Sequence, residues 1–408
     1  MANTLKALTL VTKNAATYLH NSMSAIKCFD NQYDSQFSVS GRQGGGSLQV
    51  RIPPQFTVST GAALSVQDVT ETTETIPRST QKHIDFAFTS EQLANYIENE
   101  KQIDDLYIKP AMARLASQVE YDVMAGVYSS IYNQAGTAGT SPATADAILQ
   151  AGEYLNQFCT PDDGERYLVI NPKSQRSLLN GLSGLYNNQK TIGEQYVKGY
   201  LGDQLGFKIY MDQNVPAHTN GTQGGTPLIN GGSQTGASLV TDGWSAGATV
   251  KAGTVITIGS TAANTVYAVN PETKVQQSNA QQFVVTADGT ADGSGNLTLS
   301  ISPSIVTSGA TQTVSGSPGD NVAISVAGSA SSVYGINLAF HRQAIAFITA
   351  DLPTQLPGAI AHREVLDGVS LRALHQYDKD NDRLVMRFDV LYGYKLIRPQ
   401  FACRLIGA

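Results

Sequence analysis

The sequence predicts an α+β protein of several units, one of which carries an inserted all-β, barrel-like unit. Three observations carry that prediction. Apolar residues from Met112 to Ile131 recur every three or four positions, as one face of a helix requires. Runs such as Ile84, Phe86 and Phe88 alternate with His83, Asp85 and Ala87, as a strand with one packed face does. From Pro216 to Ser332 the chain turns to Gly, Ser, Thr, Val, Ala and Gln. There the only charged residues are Asp242, Lys251, Glu272, Lys274, Asp288, Asp292 and Asp320.

The bulk properties bound the answer. At 408 residues, about 150 per domain gives two or three domains. Charged residues are only 15% and Gly numbers 38, a sheet-rich globular composition. A net charge of −6 supplies no basic footprint for tight nucleic-acid binding. Cys28, Cys159 and Cys403 are far apart, with no CxxC and no His at ligand spacing, so they read as free thiols in a reducing compartment. No stretch approaches the roughly 20 apolar residues of a membrane span, and Met1–Leu10 has no continuous apolar core of a leader. The expectation is a protein made and kept in the cytoplasm until a later fate.

Residues 4–19 place Leu5, Leu8, Ala15 and Leu19 on one face of a short helix that needs a partner surface. Two strands, Gln36–Ser40 and Leu48–Ile52, flank the Gly-rich tip 41–46. That tip lacks the Lys-Ser/Thr ending and the following helix of a phosphate loop. Strands continue at Val66–Thr75 and Lys82–Thr89, and Glu91–Glu100 is a polar approach to the long helix. That helix, Asp104–Tyr132, has Pro110 in its first turn and Asp104 and Asp105 at the positive end of its dipole. From Pro110 it spans about 34 Å at about 1.5 Å per residue, a spine in search of an equally long surface. Its remaining faces hold Arg114, Gln118, Glu120, Asp122 and Ser129.

Thr144–Phe158 is helical by pattern, through Ile148, Leu149, Tyr154, Leu155 and Phe158. Tyr167–Ile170 is a buried-type strand, and Asn171-Pro172 signals the start of a helix through Leu179. Gly206–Met211 returns as a strand, and polar loops surround 187–193. Within 216–332, strands are expected at Thr254–Ile258, Thr265–Val269, Gln282–Thr286, Leu297–Ile301 and Val322–Val326. Because Phe207–Met211 and Tyr334–Thr349 read as parts of one domain, this unit is inserted rather than appended. A hairpin within Leu371–Cys403 turns at Asp378–Asp382, with Leu384, Met386, Phe388 and Val390 facing one way and Val385, Arg387 and Asp389 the other.

Three patterns imitate sites. Gly243-Trp-Ser245-Ala-Gly247 matches a nucleophile elbow, but strand and turn follow where the elbow needs a helix. Trp244 packing on the β unit is the plainer reading. Asp378, Asp380 and Asp382 match the opening of a calcium loop, but Arg383 stands where Gly is needed and no Glu closes the loop. Asp288–Asn296 has the Gly but too few acids, and reads as a hairpin loop. The strand residue His83 reads as a solvated surface histidine. No catalytic residue, cofactor site or metal site is assigned.

Several stretches, in this order, resemble the coat proteins of tailed double-stranded-DNA bacteriophages, the family typified by the Salmonella short-tailed phage. They are Tyr33–Phe37, Gly46–Pro53, Lys82–Thr89, Tyr107–Met112, Gly253–Pro271, Phe388–Gly393 and Arg398-Pro399. The resemblance implies the Hong Kong 97-type capsid fold. By analogy, residues 1–27 are an N-terminal arm and 28–65 an extended β loop reaching over a neighbour. Residues 66–140 and 371–408 make a peripheral domain, 141–215 and 333–370 an axial domain, and 216–332 the inserted β domain. The loops of the insertion carry little charge here, so a salt bridge between capsomers from that domain is not carried over.

The implied function is a major capsid protein whose copies form pentamers and hexamers of an icosahedral head. The implied partners are the chain itself, a scaffolding protein and a portal. Packaged double-stranded DNA is touched only indirectly, and no membrane is involved. The implied location is the virion capsid, after assembly in the host cytoplasm. Arg42 at the loop tip and Arg51 near its base are the candidate inter-subunit contacts, as cations that acidic groups on a neighbour would meet. A non-capsid virion structural or adhesion protein with a β binding module is the alternative. A serine hydrolase using Ser245 is a third and weaker reading.

Overall fold

A computed structural model describes residues 3–30, 47–56, 58, 60–62, 64, 66–67, 72–77, 80–95, 104–182 and 203–407. The chain forms two units. One comprises Met1–Arg51, Thr73–Val123 and Ile345–Lys395, and the other Ile52–Thr72, Met124–Ala344 and Leu396–Ala408.

The first unit is built on a five-stranded sheet whose centre is the long strand Arg383–Leu396. Its first part pairs antiparallel with Thr80–Thr89 on one side, with Arg383 opposite Thr89 and Tyr392 opposite Thr80. On the other side it pairs with Val369–Asp378 through the turn expected at 378–382. Ile360–Leu366 then joins Val369–Asp378 through a two-residue loop, Asp367-Gly368, in which both residues have positive φ (47° and 79°). Asp-Gly suits that turn because its left-handed backbone follows the natural twist of a hairpin. Ile345–Ala350 completes the sheet.

The spine helix enters through a wide turn, Asp104–Ile108, runs as α-helix over Lys109–Val127, and tightens at Tyr128–Ser130. Met112, Leu115, Ala116, Val119, Val123, Met124, Val127 and Ile131 are all at most 2% exposed, so the whole stripe is buried as its spacing predicts. In the first unit the surface it lies on is tied to the sheet at Asp122. That carboxylate accepts from the Tyr392 hydroxyl (2.7 Å) and the Lys82 ammonium (2.9 Å), side chains of two neighbouring strands. The N-terminal helix, Asn3–Ser22, packs on Ile360–Leu366 and Val369–Asp378, with Ala15, Ala16 and Leu19 buried. The Leu5 and Leu8 side chains lie outside the described residues.

The second unit holds a mixed sheet in the order Gln134–Ala135, Ala402–Ile406, Val333–His341, Arg166–Ile170, Phe207–Met211 and Asp203–Gln204. Every residue of Arg166–Ile170 and Ala402–Ile406 is buried. The helix Ala145–Gln157 covers one face, sending Ile148, Ala151 and Leu155 into a core shared with Leu168, Phe207 and Leu405. The helix Pro172–Leu182 starts as the sequence signals: Asn171 Oδ1 caps it by accepting from the Ser174 N–H at 2.7 Å.

A second sheet in this unit runs Ile324–Val326, Val255–Ile258, Gln282–Val285, Leu297–Ile305, Gly236–Trp244 and Gly225–Ile229. Its two end strands also meet, because Leu228 pairs with Ala323 and Ile229 donates its N–H to Val322. The residues that face inward form a core of their own, including Leu239, Trp244, Ile256, Phe283 and Leu299.

Several expectations need correction. The sequence reading set one boundary between 370 and 371, and the compact units divide at 344/345 and 395/396. Ala402–Ile406 pairs with Val333–His341, from Ile336 opposite Ile406 to Phe340 opposite Ala402, whereas Ile345–Ala350 joins the other sheet. The strand expected at Val66–Thr75 is Thr72–Pro77, paired with Ser47–Ile52. The strand expected at Gln36–Ser40 and the Gly-rich tip lie outside the described residues, as do the loops at 187–193. Leu149 is 51% exposed rather than core, and Glu120 and Asp389, placed on polar faces by their periodicity, are buried.

Candidate assembly surfaces

For a protein with no assigned catalytic group, the functional surface consists of what the fold fixes rigidly and what it leaves uncovered. The rigid part is held by carboxylates that the fold buries. Asp389 is completely buried in the middle of the first unit's sheet. Its Oδ2 accepts from Arg372 Nη2 (2.8 Å) and Nε (3.2 Å), and its Oδ1 from Arg387 Nε (2.8 Å) and Gln81 Nε2 (2.9 Å). Burial raises the pKa of such a carboxyl, but the two guanidinium groups and the amide outweigh it and hold Asp389 below the usual range. Three neighbouring strands are thereby tied at one point.

Glu120 performs the same task between two helices. Its Oε1 accepts from the backbone N–H groups of Ser24 (2.5 Å), Ala25 (2.8 Å) and Ile26 (3.5 Å), just beyond the N-terminal helix. These donors would otherwise be buried without partners. We expect Glu120→Ala to lower the stability of the subunit by about 3 kcal/mol in a denaturant titration, since it strands several buried donors.

In the second unit Arg404 is fully buried, and its Nη1 donates to the carbonyl of Gly253 at 2.6 Å, joining the strand Ala402–Ile406 to the start of the strand Val255–Ile258. Burial lowers its pKa to about 10. His218 beside it is pushed down to about 4, by burial first and by Arg404 second. Gly253 has φ +92°, and a Cβ there would stand 3.2 Å from the His218 ring, so neither its backbone nor its surroundings suit a side chain.

The uncovered part is the stretch after Ser47–Ile52. Phe56, Val58, Leu64 and Val66 are 56%, 96%, 90% and 80% exposed, and none belongs to a helix or strand. Single exposed apolar residues are ordinary on any protein, but four within eleven positions are an unusual concentration. Of the two candidate contact residues, Arg51 is exposed on Ser47–Ile52, and Arg42 lies outside the described residues.

The imitation sites resolve into structural turns. Trp244 is buried in the core of the six-stranded sheet and donates its indole N–H to Thr241 at 2.7 Å, while Ser245 sits in a turn where its carbonyl accepts from the Ala248 N–H. Asp378 accepts from Asn381 and Arg383, and Asp292 from the backbone of Ser294 and Asn296. Cys28, Cys159 and Cys403 form no disulfide. Periodicity had no means of finding Asp389 or Glu120, whose roles depend on partners 308 and 96 positions away in sequence. The exposure of Phe56, Val58, Leu64 and Val66 was not legible either, since the sequence reading placed Val66 in a strand.

Among known proteins, the family model described as P22 coat protein, gene protein 5, matches residues 67–407, most of the chain. No curated protein matches. Solved structures that the chain matches include one of Mycobacterium phage Che8, at 13% identity and TM-score 0.49, covering 94% of this chain and 90% of that one. Another is the capsid of cyanophage P-SCSP1u, at 12% identity and TM-score 0.43, covering 90% and 84%. A third is the mature capsid of bacteriophage PhiM1, at 11% and 0.41, covering 88% and 81%. The family match spans both units described above, and with it the chain belongs to the P22 coat protein family: it is a major capsid protein, the repeated subunit of an icosahedral phage head.

Proposed function

We propose that the subunit adopts the Hong Kong 97-type arrangement, with a structural rather than an enzymatic role. In this reading the sheet around Arg383–Leu396 and the spine helix are the peripheral domain, and the sheet around Val333–His341 is the axial domain. Residues 216–332 are an inserted, barrel-like β domain. Copies group into pentamers and hexamers, built in the host cytoplasm on a scaffolding protein around a portal. DNA is enclosed rather than gripped, in keeping with the net charge of −6.

The observation that carries the reading is the contrast between a sheet locked by the buried Asp389 and a stretch in which Phe56, Val58, Leu64 and Val66 are uncovered. Shell subunits associate through many modest contacts, and segments that reach beyond the subunit body enlarge each of them. Arg51, beside this stretch, is the cation we assign to an acidic group on a neighbour. We expect Leu64→Asp to leave the subunit folded, with a melting temperature within about 2 °C of the parent, because Leu64 is exposed in the subunit. Sedimentation should show loss of shells of more than about tenfold, corresponding to about 1.4 kcal/mol per contact. Normal shell yield from this variant would remove the stretch from the interface.

A further inference from the structure

Beneath the hairpin formed by Tyr267–Val269 and Gln276–Ala280 lies a cavity of about 190 Å³, in the second unit. At about 30 Å³ per water it has room for about six waters, or for one side chain of moderate size. Tyr132, Phe158 and Pro271 give it apolar walls, and Gln281 and Gln312 give it amides. Among the described residues, Lys274 is its only charged lining residue, and no carboxylate lines it.

Lys274 is held there by the turn before it. Asn270 Oδ1 accepts from the backbone of Glu272 and Thr273, and the Asn270 carbonyl accepts from the Lys274 N–H at 2.9 Å. The backbone of Lys274 is left-handed, with φ +58°, a conformation in which glycine is at ease and lysine is not. A turn that needed only its shape would be served by glycine. The lysine side chain lines the cavity while its ammonium is withdrawn from water without a hydrogen-bond partner, and burial lowers its pKa. Gln281 is 1% exposed, and its Oε1 likewise has no donor. A cation and an acceptor that no protein group partners mark a place for a group of complementary charge and hydrogen bonding.

We infer that this cavity receives an Asp or Glu side chain from a second copy of the chain, whose carboxylate pairs with Lys274 in the shell. The lysine's flexible stem lets the ammonium swing to an anion that enters. A peptide segment also brings backbone N–H groups, one of which would satisfy Gln281 Oε1, whereas a free anion brings no donor. Copies of the chain surround one another in a phage head, and with 33 acidic against 27 basic residues each presents carboxylates in excess.

Carbodiimide coupling tests this. Shells are grown from a mixture of isotopically heavy and light subunits, coupled, digested and mapped by mass spectrometry. The expected product is an amide between Lys274 of one copy and an Asp or Glu of another, present in shells, absent from free subunits and absent from Lys274→Arg shells. Lys274→Met should melt at a higher temperature than the parent as a free subunit, since a buried unpaired charge is gone. It should assemble about tenfold more slowly. Coupling confined to one copy, no coupling at Lys274, or Lys274→Met shells that form and dissociate like the parent's would overturn the inference. So would acetate, at constant ionic strength, stabilising the parent subunit but not Lys274→Met while no coupling between copies occurs, because the site would then be one for a free anion. The inference rests on assembly of copies. Absence of particles from the parent protein would overturn both readings, and particles without the coupling would overturn this one alone.

Discussion

Val119→Asp should yield no soluble, assembly-competent subunit. Val119 is fully buried in the middle of the spine helix, between Leu115 and Val123 on the same face. The substitution forgoes about 1.5–3 kcal/mol of apolar burial. It also places a carboxylate at a fully buried position in an apolar stripe, at a further cost of several kcal/mol. Together these match much of the roughly 5–15 kcal/mol by which a folded protein is stable. The check is the soluble yield and the circular dichroism spectrum of the variant. Val119→Ala serves as the control, since it removes volume without charge and should remain folded. A soluble Val119→Asp subunit that enters shells would mean that the buried face has been misread.

Asp389→Ala should be nearly as damaging, by about 3–5 kcal/mol in a denaturant titration, because it leaves Arg372, which is 9% exposed, without its partner inside the sheet. Arg387, about a third exposed, can turn to water and contributes less. Asp389 also sets a pH dependence. Its folded pKa lies below the ordinary carboxylate value of 3.8, so at acid pH the unfolded chain binds the proton first. Its stabilisation is present above that value and is lost as pH falls through the folded pKa. His218 acts earlier on the same scale. Held neutral down to about 4 against an ordinary 6.5, it takes up its proton first in the unfolded chain, so stability declines as pH falls from about 6.5 and levels off below about 4. A pH series of melting temperatures on His218→Gln should lose the upper part of that decline and keep the lower. An unchanged profile would show that His218 does not contribute.

Local patterns were read correctly where a single element determined the outcome. The spine stripe, the strand Thr80–Thr89, the Asn171 cap and the turn at 378–382 follow from spacing and from turn chemistry, which act within a few residues. Errors arose where a distant partner decides. Leu149 fits the apolar face of its helix but faces outward, and Asp389 fits a solvent face but is buried because Arg372 and Arg387 lie beside it. The strands Gly225–Ile229 and Gly236–Trp244 were missed because Gly and polar residues interrupt their alternation, and closure of the sheet through Leu228 and Ala323 supplies what propensity does not. Asp367-Gly368 was a hairpin signal in plain view. The unit boundaries at 344 and 395 follow from strand pairing across long sequence separations, which no local pattern encodes.

The exposed run from Phe56 to Val66 and the cavity beside Lys274 share one logic. In the proposed reading, each is unfavourable for an isolated subunit and favourable once a copy covers it. The first unit is held in shape by the buried Asp389–Arg372 pair, by the bonds Asp122 accepts from Tyr392 and Lys82, and by the backbone N–H groups that Glu120 accepts from.

Electron microscopy of the chain expressed with the proposed scaffolding partner tests the central claim most directly. The account predicts closed shells of uniform diameter, with pentamers at the vertices and hexamers between them. Monomers alone, or irregular aggregates without a closed lattice, would contradict it.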